Sequence, residues 1–361
     1  MRNKKQVILF SIIAIGVFLR VFKLPSQGVW AGEYLNAVLA SGNSLLSVFF
    51  NSIENSAQPP LFFMLEHVVL KIFGTSELSI RLLPAVISIL NLFLFYRLAR
   101  SFFNEKSSVI AVFLFALNPY QVYYSQEAGL QSLFLMISML IIYYFLMSIK
   151  YNSFLLWPFT VWSIIGLYSF NHAFLLLLIL NFIIFVTNRK DIRLNLWLKA
   201  QGIIFIAWLP LVIFSIKAAG PEWPVRQANM LLAPFFSMKD MFFGPTIAFN
   251  WAIAAALFGC LAFTILGVIS KRKATEKRML DAIAIIILIS MLIPWLRSLT
   301  GTASYTESSF ITAAALIVLI TAVGVSYMSD QGFAAFIVII TAIYGVSLFN
   351  YYFVPKYQKI S

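Results

Sequence analysis

Two carboxylates stand out from an otherwise apolar chain. Glu33 sits in Trp30-Ala31-Gly32-Glu33-Tyr34, and Glu127 closes the run Asn118-Pro119-Tyr120-Gln121-Val122-Tyr123-Tyr124-Ser125-Gln126-Glu127. Each has aromatic or amide neighbours, fitting company for a carboxylate that takes a proton from a hydroxyl or ligates a divalent metal. Carboxylates at membrane depth are costly and usually have a reason to be there. The plainer role is an acid at a helix start, where the helix dipole favours it. Thiol and histidine-metal chemistry finds little material. The chain has two histidines, His67 and His172, far apart, and one cysteine, Cys260, inside an apolar run. A single cysteine closes no internal disulfide, and two distant histidines make no metal cluster.

These residues must be held by helices in lipid. The 361 residues are 61% hydrophobic and 11% charged, with a mean hydropathy of +0.90. A soluble domain carries roughly 25% charged residues. The chain therefore reads as an all-α polytopic membrane protein, and the net charge of +13 does not point to nucleic acid. Its lysines and arginines form short clusters between apolar runs, as topology determinants do. Apolar runs near residues 7–22, 79–100, 107–123, 129–149, 153–170, 172–188, 197–217, 246–270, 279–297, 308–328 and 332–353 predict eleven spans. Several approach the ~20 residues that cross ~30 Å of hydrocarbon. The first is expected to stay uncleaved, since no small-residue cleavage site follows it.

Sixteen of the 26 lysines and arginines fall on one side of this arrangement, which is assigned as cytoplasmic together with the amino terminus. The loops at 23–80, 120–128, 218–245 and 298–307 then share the outer face, and with them Glu33 and Glu127. We expect one transmembrane domain over residues 1–361, with no soluble terminal domain, in a bacterial or archaeal plasma membrane. Within the first loop, Pro59-Pro60 should open a helix that ends at Gly74. At 1.5 Å per residue it is too short to cross, so an interfacial helix is expected, with His67 facing headgroups. Thr75-Ser76-Glu77 should cap the second span.

The order of motifs resembles a known family. Phe18-Leu19-Arg20, Trp30 with Glu33, Pro59-Pro60-Leu61, Phe73-Gly74-Thr75-Ser76-Glu77 with Arg81-Leu82, Asn118-Pro119 and Tyr124-Ser125-Gln126-Glu127-Ala128 look like the GT-C membrane glycosyltransferases. The nearest branch holds the protein O-mannosyltransferases and the lipid A aminoarabinose transferases. The resemblance implies transfer of a sugar from a polyprenyl-phosphate donor to an acceptor outside the cytoplasm, with inversion. A carboxylate would take the acceptor's proton, and cations or a divalent metal such as Mg or Mn would hold the phosphate.

Carried onto this chain, the resemblance makes Glu33 and Glu127 the catalytic candidates, with Glu127 also a possible metal ligand. Trp30, Tyr34, Gln58, Tyr124 and Gln126 become candidates for binding substrate. Arg81, Arg226, Lys239 and Arg297 become candidates for the lipid phosphate, against a plainer role as headgroup anchors. The expected partners are the donor lipid, membrane lipids and an acceptor of unknown class. The chain departs from the family pattern at four places. Gly32 replaces the aspartate of an Asp-Glu pair, Gln58 replaces histidine, Gly129 replaces an arginine after Glu-Ala, and Ser304 precedes Tyr305 where an arginine is common. These departures keep two alternatives open: a non-catalytic relative that binds lipid or a partner protein, and a transporter of lipid-linked sugars.

Overall fold

The computed structural model describes residues 2–56, 58–151, 155–187, 194–218, 231–269, 273–299 and 307–357. Among them the regular structure is entirely helical. In order the helices are α1 (Arg2–Val21), α2 (Ala31–Ala40), α3 (Leu45–Ser56), α4 (Leu61–Phe73), α5 (Glu77–Phe102), α6 (Glu105–Leu117), α7 (Pro119–Ser125) and α8 (Gln131–Tyr151). There follow α9 (Leu156–Leu167), α10 (His172–Thr187), α11 (Leu194–Ala218), α12 (Ala233–Phe243), α13 (Trp251–Ile269), α14 (Ala274–Leu299), α15 (Ile311–Val325) and α16 (Asp330–Phe353). Among the described residues, six helices are long and apolar enough to cross a membrane: α5, α8, α11, α13, α14 and α16. Shorter apolar helices cover Gln6–Val21, Leu156–Leu167, His172–Val186 and Ile311–Val325.

Every apolar run read from the sequence carries helix, but one is broken. The run at 107–123 divides into α6 and α7 at Asn118-Pro119. Proline disfavours helix in the residue before it and lacks an N–H. Asn118 takes ψ 118°, and its Oδ1 accepts the N–H of Gln121 to start α7. Its amide also donates to Met241 O at 2.9 Å, tying the break to α12. The first loop, expected at 23–80, holds three helices, α2, α3 and α4, and the loop expected at 218–245 holds α12. Ser76 caps α5 by accepting the N–H of Ser79, and α4 ends at Gly74 with φ +79°.

The core is built around α15, all of whose residues are buried. It meets α13 through glycine. A Cβ on Gly324 would lie 2.0 Å from Phe263 O, and one on Gly267 2.4 Å from Ile320 O. Small residues let two backbones close in this way where lipid offers no hydrophobic drive. One turn away the hydroxyls of Thr264 and Thr321 hydrogen bond at 2.7 Å. Large apolar side chains such as Phe258, Ile265, Val338 and Phe349 remain exposed, a surface suited to lipid.

One end of the bundle gathers cations and short turns. Lys150 donates to Ser101 O at 2.5 Å, Ser107 bonds Ser326 at 2.9 Å, and Lys106 lies 5.4 Å from the Phe333 ring. The other end carries α2 to α4.

Gly324→Ala should force α13 and α15 apart. A stability loss of about 1–3 kcal/mol is expected, as for other overpacked sites. Gly345, with nothing within 4 Å of an added Cβ, is the matched control on α16. Thermal denaturation in detergent should show a lower Tm for Gly324→Ala than for Gly345→Ala. Equal values would contradict this account of the packing.

Candidate functional site

The end of α1 runs into residues 22–30, which form turns and extended backbone rather than helix. Their buried carbonyls need donors. Arg81, in the first turns of α5, supplies them. Its Nη1 donates to Leu24 O at 3.1 Å and Gln27 O at 2.8 Å, and its Nη2 to Gly28 O at 2.9 Å. The remaining N–H groups grip Glu33: Nε to Oε1 at 3.0 Å and Nη2 to Oε2 at 2.7 Å. All five donors of the guanidinium are thus used within the protein. Both side chains of the pair are at most 1% exposed.

Glu33 reaches one element further. Its Oε1 accepts the N–H of Ala128 at 2.9 Å, while Asn36 donates to Ala128 O at 2.8 Å. Residue 128 is therefore held at both its N–H and its C=O by α2. Gln126, just before it, spans to other helices. Its Nε2 donates to Leu19 O at 3.0 Å and Phe22 O at 2.9 Å, and its Oε1 accepts from Tyr351 at 3.1 Å. Gln27 and Lys23 donate to the carbonyls of Tyr351 and Tyr352. The ends of α1, α7 and α16, the start of α5 and the whole of α2 meet here.

The remaining candidates fall at several places around this meeting point. Glu127 is buried between the two held residues, and it lies close enough to Tyr351 to act on it electrostatically. Tyr124 is buried, edge-on to Tyr120 and Tyr123. Trp30 and Tyr34 stand on the exposed side of α2. Gln58 contacts Asn171 at 3.5 Å, beside the turn where Leu61 donates to Tyr168 O. Arg297, in the last turn of α14, is exposed and close enough to His172 to influence it.

Two of the proposed phosphate cations are occupied internally. Arg81 has no donor left, for the reason given above. Lys239 pairs with Asp240 and donates to Ile247 O at 3.1 Å, folding the turn after α12. Arg226, with Ser304 and Tyr305, lies outside the described residues. His67 does not face headgroups. It is buried, with Nδ1 2.8 Å from Ala40 O, and so ties α4 to α2.

The two departures to glycine are both filled by neighbours. A Cβ at Gly32 would lie 2.6 Å from the Trp30 ring, and one at Gly129 2.2 Å from Gln131 Oε1. No group of three or more His, Cys, Asp or Glu that could hold a metal occurs among the described residues. Glu33 is already spent on Arg81 and an amide. A divalent cation held by Glu127 would therefore draw its other ligands from groups other than Glu33.

Comparison with known proteins places this geometry. The family model described as dolichyl-phosphate-mannose-protein mannosyltransferase matches residues 57–216. ArnT from Cupriavidus metallidurans superposes with a TM-score of 0.70 in the apo state, at 12% identity over 95% of this chain and 64% of that one. Its complex with undecaprenyl phosphate gives 0.67 at 11% identity, over 92% of this chain and 63% of that one. The chain shares the GT-C fold of these ArnT structures. The archaeal oligosaccharyltransferase AglB from Archaeoglobus fulgidus, crystallised with an inhibitory peptide and a dolichol-phosphate, gives a TM-score of 0.59 at 15% identity, over 96% of this chain and 56% of that one. The "Putative mannosyltransferase YycA" of Bacillus subtilis (strain 168) is 23% identical over 263 residues, 68% of this chain and 38% of that protein. This GT-C chain spans less than two thirds of the length of each of these proteins.

Sequence reasoning assigned no role to several residues near this meeting point. Arg20, the last residue of the Phe18-Leu19-Arg20 motif, is fully buried, bonding Ser88 at 2.8 Å and Ala116 O at 3.1 Å. The visible signal was an arginine in the last turn of an apolar helix. Tyr351 and Tyr352 gave no signal, because nothing local distinguishes them from interfacial tyrosines.

Glu66, on α4 outside the spans, is a further buried acid. It is 1% exposed and neither carboxylate oxygen has a hydrogen-bond partner. Burial pushes it up to about 8. The native state thus keeps a proton that the unfolded chain loses above its ordinary value, so stability falls as pH rises from about 4.5 to about 8. Glu66→Gln should remove most of that slope, gaining a few kcal/mol at pH 8 and nothing near pH 4. Parallel pH–Tm curves for the two proteins would refute it. Glu33→Gln should act in the opposite direction, leaving Arg81 with an uncompensated buried charge. Breaking such a pair costs about 3–5 kcal/mol, and a double-mutant cycle with Arg81→Met should recover a strong coupling.

Proposed function

We propose that this chain is a glycosyltransferase that moves a sugar from a polyprenyl-phosphate donor to a hydroxyl acceptor on the extracytoplasmic face. The observation that carries the reading is the three-way contact of Glu33, Arg81 and Ala128. It joins three of the segments whose motifs resemble the family into one place, on a fold whose solved examples include complexes with polyprenyl phosphates. The sidedness rests on charge. Lys150 and Lys106 mark the opposite end of the bundle, which the positive-inside rule assigns to the cytoplasm.

In this reading Glu33 is a positioning residue. Its carboxylate holds Arg81 and the Ala128 amide, and so fixes the peptide that carries Glu127. Glu127 accepts the proton of the attacking hydroxyl. The acceptor oxygen bonds to the anomeric carbon as the bond from that carbon to the phosphate oxygen breaks. The electron pair leaves with the polyprenyl phosphate, and attack opposite that bond inverts the centre. Arg297, with Arg226, neutralises the departing phosphate.

A second reading has its own observation. Trp30 and Gln131 fill the space over Gly32 and Gly129, where related proteins carry side chains. A GT-C relative repacked in this way could bind the lipid donor, or a partner protein, without turning a donor over. A lipid-linked sugar transporter is separated by asking whether the donor crosses the bilayer intact.

Purified protein incubated with polyprenyl-phosphate-linked hexoses and a panel of hydroxyl-bearing acceptors, water included, should transfer the sugar to an acceptor hydroxyl and release the bare carrier phosphate. Glu127→Gln should lower kcat at least 100-fold, within the ~10²–10⁴ range of a lost general base, with little change in Tm. Carrier binding without turnover on any donor would favour the repacked, non-catalytic reading.

A further inference from the structure

Between α13 and α16 the bundle opens into a deep crevice. Ala252, Ala255, Ala256 and Gly259 line it from α13, and Gly332 and Ala335 from α16. The rings of Phe263 and Phe336 meet across it at 5.3 Å between centroids. It holds about 580 Å³, and about 1,070 Å³ with its open side. Ligand sites run from ~300 to ~1,000 Å³. A Cβ added at Gly259 would meet nothing within 4 Å, so the space begins at the α13 backbone itself. None of the side chains lining the crevice carries an oxygen or a nitrogen.

The dimensions select the occupant. From Gly332 to Ile343 on α16, and from Ala252 to Phe263 on α13, the crevice follows a helical rise of about 16 Å. That is about half of a ~30 Å hydrocarbon core, the depth of one leaflet. Spread over that length, the volumes give a passage about 7 Å across, or about 9 Å with the open side. A helix with its side chains needs ~10–12 Å. A hydrocarbon chain, whose carbons pack at ~3.5–4 Å, fits with contacts on both walls. A sugar, a phosphate or a peptide would find no hydrogen-bonding side chain there.

Charge marks the end at which a headgroup would sit. Met328 and Gly332 line the crevice at the end of the bundle where Ser107 bonds Ser326. Lys106 is exposed there, 5.4 Å from the ring of Phe333, the residue after Gly332. Exposed Lys273 and Lys277 flank the start of α14, just beyond the end of α13. The acids of this region, Glu105, Glu276 and Asp330, each stand in the first turn of a helix, where the dipole favours them. An ammonium at the mouth of an apolar groove suits an anionic lipid headgroup. The far end of the crevice reaches Phe243, Ala252 and Ile343, none of them charged.

We propose that the crevice holds one acyl chain of an anionic phospholipid, drawn from the leaflet opposite the Glu33–Arg81 contact, with its phosphate beside Lys106. In the orientation assigned from charge this is the cytoplasmic leaflet. The chain fills the space between α13 and α16 and braces α16 at the end remote from the site. At the other end of the same helix Tyr351 bonds Gln126. This lipid is a resident of the fold and takes no part in transfer.

The test strips the full chain of lipid in detergent and titrates it with phosphatidylglycerol, with phosphatidylcholine of the same acyl chains, and with undecaprenyl phosphate. Native mass spectrometry counts the bound molecules. One phosphatidylglycerol should be held about 5-fold more tightly than phosphatidylcholine, the gain one lysine near an anionic headgroup supplies. Lys106→Gln should remove that preference. Gly259→Leu, which extends into the open space, should weaken both phospholipids about 10-fold by displacing buried methylenes. Gly345→Leu is equally unobstructed but lies off the crevice on α16, and it should leave both affinities unchanged. Matching Tm values of the two leucine variants without lipid show that the fold is intact. Equal affinity for the two phospholipids, or normal phosphatidylglycerol binding by both Lys106→Gln and Gly259→Leu, would overturn the proposal. Displacement of phosphatidylglycerol by equimolar undecaprenyl phosphate would instead give the crevice to the carrier. A dimer that Gly259→Leu dissolves would give it to a second copy of the chain.

Discussion

The site end of this molecule depends on one buried ion pair. Glu33 and Arg81 are both withdrawn from solvent, and desolvating each ion costs several kcal/mol before any attraction is counted. Such a pair is weak evidence for stability, but it is strong evidence for position. The guanidinium is planar and presents its donors in a fixed fork. Once Arg81 is seated on α5, the carbonyls of Leu24, Gln27 and Gly28 and the carboxylate of Glu33 have one arrangement that satisfies all five donors. The non-helical passage from α1 to α2 is thereby fixed, and Glu33 fixes Ala128 in turn. Loop residues far apart in sequence acquire a geometry that ordinarily requires regular structure.

The helices were largely legible from hydropathy, because a backbone in lipid must bond within its own helix. Apolar runs therefore became helices, and Ser76 and Gly74 marked their ends for the usual local reasons. What hydropathy could not show was where a helix breaks for a tertiary partner. Asn118 ends α6 partly to reach Met241, over a hundred residues away. Nor could it show the folding of α12, which is anchored by Lys239 through bonds to its own following turn. The motif residues were legible as a set, but their division of labour was not. Arg81 and Glu33 were both read as facing substrate, and only the coordinates reveal that each is spent on the other.

Lipid also explains why polar contacts are so informative here. A buried hydroxyl in a soluble core often answers to nearby backbone. In this chain many do the same, as Ser148 and Thr264 do by returning to their own helix. Against that background Ser138 and Thr312, which find no partner and share a cavity, are exceptions with a location.

The two glycines bear on how transfer could survive the loss of family side chains. They are not equivalent. Trp30, which covers Gly32, is 41% exposed and can swing outward, whereas Gln131, which covers Gly129, is 8% exposed and is held inside. A side chain at 32 displaces a ring at the surface, while one at 129 must displace part of the core. The repacking at 129 is therefore the more committed change. Compensation has to come from a charge on another element that reaches the same end. Arg81 and Lys239 are excluded by their own hydrogen bonds. Arg297, exposed in the last turn of α14 and close to His172, is the described cation to which the proposed mechanism assigns that charge. In the proposed reaction the buried Glu33–Arg81 pair then only positions the peptide of Glu127, and the charge that meets the donor phosphate comes from an exposed side chain.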